Sequence, residues 1–400
     1  MKILQLCTKV PFPAKDGGAL ATYSFSTGLS KRNHIITILA ANTSKHKSTS
    51  EPGVQLLPGI SIKSVPFSTN INLFSLIRNL FFSKRPYNVI RFYNKKFKQE
   101  LLKIITNDEF DIIQFEGPHM AVYLHDIRKY SKAKTILRAH NVEHILWQEM
   151  ASEAAFFIKG WYFRVIAKRL QIFEKWVIEN VDGVIPITRF DASVICSFSK
   201  PSNLQVIPFG IDISNYIPSD KTVDKSIFYI GALDWMPNQR GLIWFLKQVW
   251  PKVHQQFPKV SLHIAGRNSP NWIKKIICDA GANFHGEVPD AIKFIEPYQI
   301  MVVPVFSGSG VRVKIIEGMA MGKAIVATLK AVQGVDVANN YGILLANNAN
   351  DFSAAIIKLL TDNLSQITIS TVGRECAITN FDNLVLSQKI ESFYSSCLRV

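Results

Sequence analysis

Residues 300–328 read Ile300-Met301-Val302-Val303-Pro304-Val305-Phe306-Ser307-Gly308-Ser309-Gly310-Val311-Arg312-Val313-Lys314-Ile315-Ile316-Glu317-Gly318-Met319-Ala320-Met321-Gly322-Lys323-Ala324-Ile325-Val326-Ala327-Thr328. An apolar β-type run (300–305) ends in a Gly/Ser turn, helical spacing begins at about Val313, and a second apolar run (324–328) follows. Strand, turn, helix and strand make one βαβ unit, and strands apolar on both faces imply a parallel sheet covered by helices on both sides. Working outward, the same alternation fills the C-terminal half: runs at 227–231, 262–266, 284–288 and 342–346, with helical patterns at about 238–257 and 270–279. It also fills the N-terminal half: runs at 3–7, 35–41, 111–115, 135–139, 183–188 and 204–208, with helical patterns at 18–31, 119–129 and 189–198.

These patterns predict an α/β protein of two Rossmann-like, doubly wound domains, residues 1–208 and 209–380, with 381–400 as a C-terminal helix. The junction is Pro208-Phe209-Gly210-Ile211-Asp212 through Pro218-Ser219-Asp220, where Pro, Gly and Asp interrupt the periodicity. Further helices are expected at about 349–361, 364–379 and 382–398. The polar stretch 42–52 reads as a loop.

A chain of 400 residues with 48% hydrophobic content has enough apolar surface for two or three full cores and is not disordered. Charged residues make up 19%, aromatics 11%, and the formal net charge is +16. That charge is uneven: residues 1–200 carry 28 basic and 15 acidic side chains, residues 201–400 carry 18 and 15. Clustered Lys and Arg suit nucleic acid, anionic lipid or an acidic small substrate, and charge alone does not choose among them. No uncharged apolar run is long enough to span a membrane, and the N-terminus reads as a first strand, so the expected location is cytoplasmic. Cys7, Cys196, Cys278, Cys376 and Cys397 are odd in number and lack a C-x-x-C pair, which predicts reduced, buried thiols.

In open α/β sheets, ligands bind beyond the carboxyl ends of the strands, where backbone N–H groups and helix dipoles accumulate. Three loops fit that rule. In the loop 304–323 the Gly/Ser turn can cradle phosphate oxygens. Arg312 can grip a phosphate bidentately and Lys314 adds a point charge, so the pair can neutralise a diphosphate without metal. Cations at a helix start oppose its dipole, and a bound polyanion would remove that conflict. Glu317 suits a ribose diol, or equally a buried pair with a neighbouring Lys. The loop is neither a P-loop nor a dinucleotide fingerprint, because Gly318 and Gly322 are too close together and Gly308-Ser309-Gly310 lacks the third glycine. The second loop, after the first strand, holds Asp16, Gly17 and Gly18 at a helix start. Paired glycines admit a close ligand there, and they also fit a plain turn. The third is Arg138-Ala139-His140-Asn141-Val142-Glu143-His144, where His140 at a strand tip can hydrogen-bond an oxygen that gains charge. Its His140-x-x-Glu143-His144 string matches an inverted zinc-protease pattern, but that pattern needs both histidines on one helix, so no metal is expected.

Two basic, aromatic stretches remain, 78–103 and 156–176. Such mixtures suit a membrane interface or single-stranded nucleic acid; alternatively the aromatics face the core and the charges are solvated.

Taken together, these residues resemble the retaining, nucleotide-sugar-dependent glycosyltransferases of family 4, which have the GT-B fold. The resemblance runs through the Gly17-Gly18 loop, Arg138 to Glu143, Ile207 to Asp212, Gly231-x-x-Asp234-Trp235-x-Pro237-Asn238 and Gly308 to Gly322. It implies two domains facing across a cleft and a C-terminal helix that crosses back to the first domain. It implies a donor site that takes in Gly17, Gly18, Gly231, Gly308, Ser309, Gly310 and Val311, with Glu317 on the ribose and the base held by backbone near Gly286 and Val288. Ser309 stands where the family has its first Glu, which leaves the donor sugar open. Ala232 stands where a basic residue is common after Gly231, with Arg240 as a stand-in, so Arg312 and Lys314 are expected to carry the diphosphate. Asp16, Glu116, His140 and Asn141 would meet the acceptor, with His140 polarising a hydroxyl near the anomeric centre. The expected partners are a nucleotide-sugar donor, a glycan or lipid-linked acceptor and an anionic membrane surface through the basic stretches, with no nucleic acid and no cofactor. A non-catalytic basic binding protein and a GT-B epimerase or phosphorylase are the competing readings.

Overall fold

The computed structural model describes residues 1–13, 17–43, 55–66, 68–69, 72–83, 85–154, 156–219, 225–308, 311–335 and 342–399. The chain forms two units, Met1–Phe209 together with Leu386–Val400, and Gly210–Val385.

The first unit runs β1 (Lys2–Cys7), α1 (Gly17–Ser30), β2 (Ile35–Asn42), β3 (Gln55–Leu57), β4 (Ile60–Pro66), α2 (Leu73–Phe82), α3 (Tyr87–Ile90), α4 (Lys95–Asn107), β5 (Ile112–Glu116), α5 (Leu124–Tyr130), β6 (Lys134–Ala139), α6 (Glu143–Ser152), α7 (Phe157–Asn180), β7 (Gly183–Pro186) and α8 (Arg189–Phe198). Among the described residues its sheet has the order β3-β4-β2-β1-β5-β6-β7, parallel except for the antiparallel edge pair β3/β4. The chain winds outward from β1 through β2, then outward from β5 through β6. The order therefore reverses between β1 and β5, and the carboxyl ends of those strands border the crevice where a doubly wound sheet takes ligands.

The second unit repeats the plan with β8 (Ser226–Ile230), α9 (Met236–Trp244), α10 (Trp250–Gln256), β9 (Ser261–Ala265), α11 (Asn271–Asp279), β10 (Asn283–Gly286), α12 (Ala291–Ile295), β11 (Ile300–Val303), α13 (Val313–Ala320), β12 (Ala324–Ala327), α14 (Leu329–Val332), β13 (Ile343–Leu345), α15 (Ala349–Thr361) and α16 (Asn363–Phe381). Its order is β10-β9-β8-β11-β12-β13, all parallel, with the reversal between β8 and β11. Strands β11 and β12 are fully buried, as their uninterrupted apolar sequence requires. Gly241 lets α9 lie directly on the end of β11: a Cβ there would stand 1.6 Å from the Pro304 carbonyl oxygen.

The last helix, α17 (Asn383–Arg399), has its first three residues in the second unit and the rest in the first. Leu386, Ile390, Phe393, Tyr394 and Cys397 pack there with Ile3, Ile112, Ile136 and Ile185 in one buried cluster.

Several expectations differ from the structure. Residues 204–208 follow β7 through the Val184–Leu204 bridge and an Ile207 N–H bond to the Pro186 carbonyl, and form no strand of their own; Pro186 has no N–H to complete a second bridge. Strand β4 has no counterpart among the expected runs, because Ser61, Lys63 and Ser64 interrupt its apolar residues. The pattern at 119–129 divides into a 3₁₀ turn, Pro118–Tyr123, and α5. Cys7, Cys376 and Cys397 are buried thiols as expected, whereas Cys196 and Cys278 are exposed. Among the described residues no helix is long and apolar enough to cross a membrane.

Candidate active site

In the second unit, three elements converge on Lys314. The residue is the second of α13, and its Nζ donates to the Ile230 carbonyl at the end of β8 (3.0 Å) and lies 4.6 Å from the centre of the Tyr229 ring. Burial, reinforced by neighbouring Arg312, lowers its ammonium to about 7. Gly231 keeps this place open: a Cβ would lie 3.1 Å from each of Lys314 Nζ, Asn238 Nδ2 and the Tyr229 hydroxyl. Asn238 on α9 is buried and donates to the Ala232 carbonyl (2.9 Å).

Arg312 occupies the N-cap position of α13 and is only 7% exposed. Its Nη2 donates to the Gly308 carbonyl (3.1 Å), and its guanidinium lies 5.0 Å from the Trp235 ring centre. Gly308 has φ +87° and Val311 is half-buried; Ser309 and Gly310 lie outside the described residues. One turn on, Glu317 accepts from the Tyr216 hydroxyl (3.0 Å), not from a lysine. Burial raises the Glu317 carboxyl against the opposing effect of that hydrogen bond. Arg374 of α16 holds Tyr216 by its carbonyl (3.0 Å) and also donates to the Ala320 carbonyl. Val288 is half-buried beyond β10, and Arg240 is exposed on α9.

The first unit gathers a different cluster at the carboxyl ends of β5 and β6. Glu116 Oε2 lies 2.7 Å from His140 Nε2 and 3.4 Å from Arg138 Nη1, and accepts from Thr22 Oγ1 (3.2 Å); Oε1 accepts from Gln114. Burial alone would raise this carboxyl. Arg138, His140 and Gln114 outweigh it and bring Glu116 down to about 2. Arg138 is 1% exposed, with its guanidinium 4.1 Å from the Phe25 ring centre. Thr22 also donates to the Gly18 carbonyl (3.1 Å), which ties the Gly17-Gly18 loop to the cluster. His140 and Asn141 are half-buried, and Asp16 lies outside the described residues.

The zinc-like string is pulled apart. Glu174 of α7 accepts from the backbone N–H of Glu143 (2.7 Å) and lies 2.7 Å from His144 Nδ1, so it caps α6 and holds His144 away from His140. Burial and the Glu174 carboxylate push Glu143 up to about 8. Among the described residues no group of three or more His, Cys, Asp or Glu is arranged to hold a metal ion.

The family model described as "Glycosyltransferase Family 4" matches residues 15–215. The chain belongs to glycosyltransferase family 4. A second model, "Glycosyl transferases group 1", matches residues 224–362 of this glycosyltransferase. An uncharacterized 44.6 kDa protein in the cps region of Klebsiella pneumoniae is 22% identical over 367 residues, 89% of this chain and 90% of that protein. Sucrose-phosphate synthase from Thermosynechococcus elongatus superposes with a TM-score of 0.74 at 16% identity, covering 100% of both chains. The Anabaena protein HepE in complex with UDP superposes with a TM-score of 0.70 at 14% identity, covering 99% of this chain and 100% of that one. The two sheets are therefore those of a GT-B glycosyltransferase, and sugar transfer is its activity.

Sequence reasoning placed Gly231, Gly308, Arg312, Lys314 and Glu317 in one unit, and Gly18, Glu116 and His140 in the other. It missed Thr22, Gln114, Tyr216 and Tyr394, and gave Arg138 no role. One signal was present: Gln5, Gln114 and Arg138 interrupt otherwise apolar strands, and a polar group buried in such a place needs a partner.

The Glu116 cluster generates a prediction about acid stability. Its folded carboxyl titrates near 2 against a usual value of 4.5, so the unfolded chain binds more protons between those values. Stability contributed by Glu116 is present above pH 4.5 and is lost as the pH falls towards 2. Urea unfolding across that window should show wild type losing stability more steeply than Glu116→Gln, which starts lower because Arg138 is left buried without its partner. Parallel curves would contradict this account of the cluster.

Proposed function

We propose that the protein transfers a sugar from a nucleotide-diphosphate sugar to a hydroxyl of a glycan or lipid-linked acceptor, with retention of configuration and without a divalent metal, during assembly of cell-surface polysaccharide or lipopolysaccharide. The observation that carries the reading is the pair Arg312 and Lys314 at the head of α13, with Lys314 enclosed beside Gly231 at the β8/β11 reversal. UDP and UDP-glucose complexes of HepE, the same fold, support a nucleotide-sugar donor. The cps region of the Klebsiella relative supports a role in surface polysaccharide.

In this reading the donor diphosphate lies against Arg312, Lys314, Gly308 and Val311; Ser309 and Gly310, expected with them, lie outside the described residues. Bond breaking loads negative charge on the diphosphate, and the two cations with the helix start stabilise that charge as it develops. Glu317, oriented by Tyr216, takes the ribose hydroxyls, and the chain near Gly286 and Val288 holds the base. Arg240, exposed on α9, is the further donor-side cation of this reading. On the acceptor side Glu116 fixes His140 through Nε2, leaving Nδ1 for a hydroxyl at the reacting centre, with Gly17, Gly18 and Asn141 as further acceptor-side residues; Asp16, expected with them, lies outside the described residues. Retention and the absence of a metal follow from the family resemblance and from two cations doing the work of one. The enzyme works in the cytoplasm, on the cytosolic face of the inner membrane.

The membrane part rests on α7. Phe157, Trp161, Arg164, Lys168, Ile172, Lys175 and Trp176 recur at helical spacing and are all exposed, with no acidic residue on that face before Glu179. Tyr162, Phe163 and Phe173 turn inward, so the helix divides its aromatics between core and surface. Beside it, α2 exposes Phe74, Phe81 and Phe82 with Arg78, and Arg169 of α7 ties the two helices by donating to the Asn79 and Leu80 carbonyls (3.1 and 2.6 Å). An apolar face studded with cations and free of acids is what an anionic bilayer surface attracts.

The transferase reading is tested by nucleoside diphosphate release from candidate nucleotide sugars. Arg312→Ala should lower kcat/KM by about 100-fold, the effect of removing one donor to a developing anion, and EDTA should leave the wild-type rate unchanged. Equal rates in the variant, or no release from any donor, would defeat it. For the membrane, flotation with phosphatidylglycerol vesicles at low salt should recover the wild type, and Arg164→Glu with Lys168→Glu should remain in the dense fraction. Indifference to those charges would remove α7 as the contact.

A further inference from the structure

The first unit contains a cation that the transfer site leaves unused. Arg91 follows α3, and its guanidinium lies 5.3 Å from the Phe92 ring centre. The residue is half-buried, and its Nε is buried without a hydrogen-bond partner. Among the described residues it belongs to no ion pair; Asp126 of neighbouring α5 is engaged by Lys98 (2.7 Å). One turn earlier, on the same side of the chain, Asn88 is 7% exposed and its Oδ1 also has no partner. Two buried polar atoms left open on one turn, one of them on a guanidinium, are expensive unless something else meets them.

The surroundings place this cation near the acceptor side. The Phe92 ring lies 5.3 Å from the His119 ring centre, and His119 follows Glu116 by three residues on the 3₁₀ turn that leaves β5. The segment is held rigidly: the Tyr123 hydroxyl donates to the Phe92 carbonyl (2.7 Å) and accepts from the Asn94 N–H (2.9 Å), and the Tyr123 ring stacks on Tyr93 and Phe97. A cation fixed by its backbone, with an aromatic floor and no carboxylate, is preorganised for an oxyanion that arrives from outside.

We propose that Arg91 and His119 form an oxyanion subsite on the acceptor side, taking a phosphoryl or carboxylate group carried by the acceptor. The position on the acceptor side rests on the function proposed above; the anion site itself does not. Arg91 supplies the paired donors, and His119, on the other side of the Phe92 contact and three residues after Glu116, is its titratable neighbour. The acceptor class is thereby narrowed to anionic molecules, either a sugar on a phosphoryl-linked carrier or a glycan bearing a uronate.

The test reads His119 directly in the full-length protein, by NMR of ¹⁵N-histidine-labelled samples with inorganic pyrophosphate or with glucuronate. Burial and the Arg91 charge hold His119 down to about 4. An anion on Arg91 cancels part of that repulsion, so the His119 midpoint should rise by about one unit. The same rise is expected in Arg312→Ala, which excludes the donor site as the source. In Arg91→Gln the midpoint should start higher and no longer respond, and in Arg91→Lys, which keeps the charge but not the fork, the response should need more ligand. A response to pyrophosphate assigns a phosphoryl group, and one to glucuronate a carboxylate. No rise with either probe, or an equal rise in Arg91→Gln, overturns the subsite. A protein that shows the rise but releases no nucleoside diphosphate would keep the anion site and lose the transferase reading.

Discussion

A half-buried lysine ammonium with no carboxylate in ion-pair reach among the described residues is the constraint around which the second unit is organised. Lys314 stands at the positive end of α13 and beside Arg312, two circumstances that disfavour its charge, and the Ile230 carbonyl and the Tyr229 ring are its described partners. Three separate features converge to keep it there. Gly231 omits the side chain that would fill the place, α9 brings Asn238 to its edge, and Gly241 lets α9 rest on Pro304 so that the loop leading to Arg312 starts from a fixed point. A protein that wanted only stability would use an apolar residue at position 314. Keeping a destabilised cation makes physical sense where an anion is to be bound, because the free energy withheld by burial returns when the anion arrives.

The first unit handles charge in the opposite way. Glu116, Arg138 and His140 are mutually satisfied, and the network continues through Gln114 to the Tyr394 hydroxyl on α17. Such a cluster fixes geometry and leaves no unbalanced charge to be neutralised by a ligand. The C-terminal helix therefore contributes to the placement of His140 from the far end of the chain. The excess positive charge of the N-terminal half lies largely elsewhere, on exposed faces such as that of α7, while a few cations in the nearly balanced C-terminal half stand at the strand reversal.

Much of this architecture was legible in the chain because it is local. Apolar runs of strand length followed by helical spacing gave both sheets, and the Gly/Ser turn before Arg312 and Lys314 marked the loop at the β8/β11 reversal. What escaped depends on pairs far apart in sequence. The Tyr216 and Glu317 contact joins residues 101 apart, and Tyr394 meets Gln114 across 280, separations that no periodicity encodes. Strand β4 escaped because polar Ser61, Lys63 and Ser64 are interspersed with its buried Ile60, Ile62 and Val65. The split of α7 into an inward and an outward set of aromatics also lay beyond composition: Phe163 and Trp161 are equally apolar in sequence, and only the packing against the rest of the unit separates them.

The most direct test of the central claim, that Lys314 is held uncharged in part until a diphosphate binds, is the proton count of binding. Titration calorimetry with UDP at pH 8, in two buffers of different ionisation enthalpy, measures it. With a free ammonium titrating near 7 and the bound one raised by the diphosphate, the account predicts net proton uptake on binding, abolished in Lys314→Met. A heat of binding independent of buffer in the wild type would contradict it.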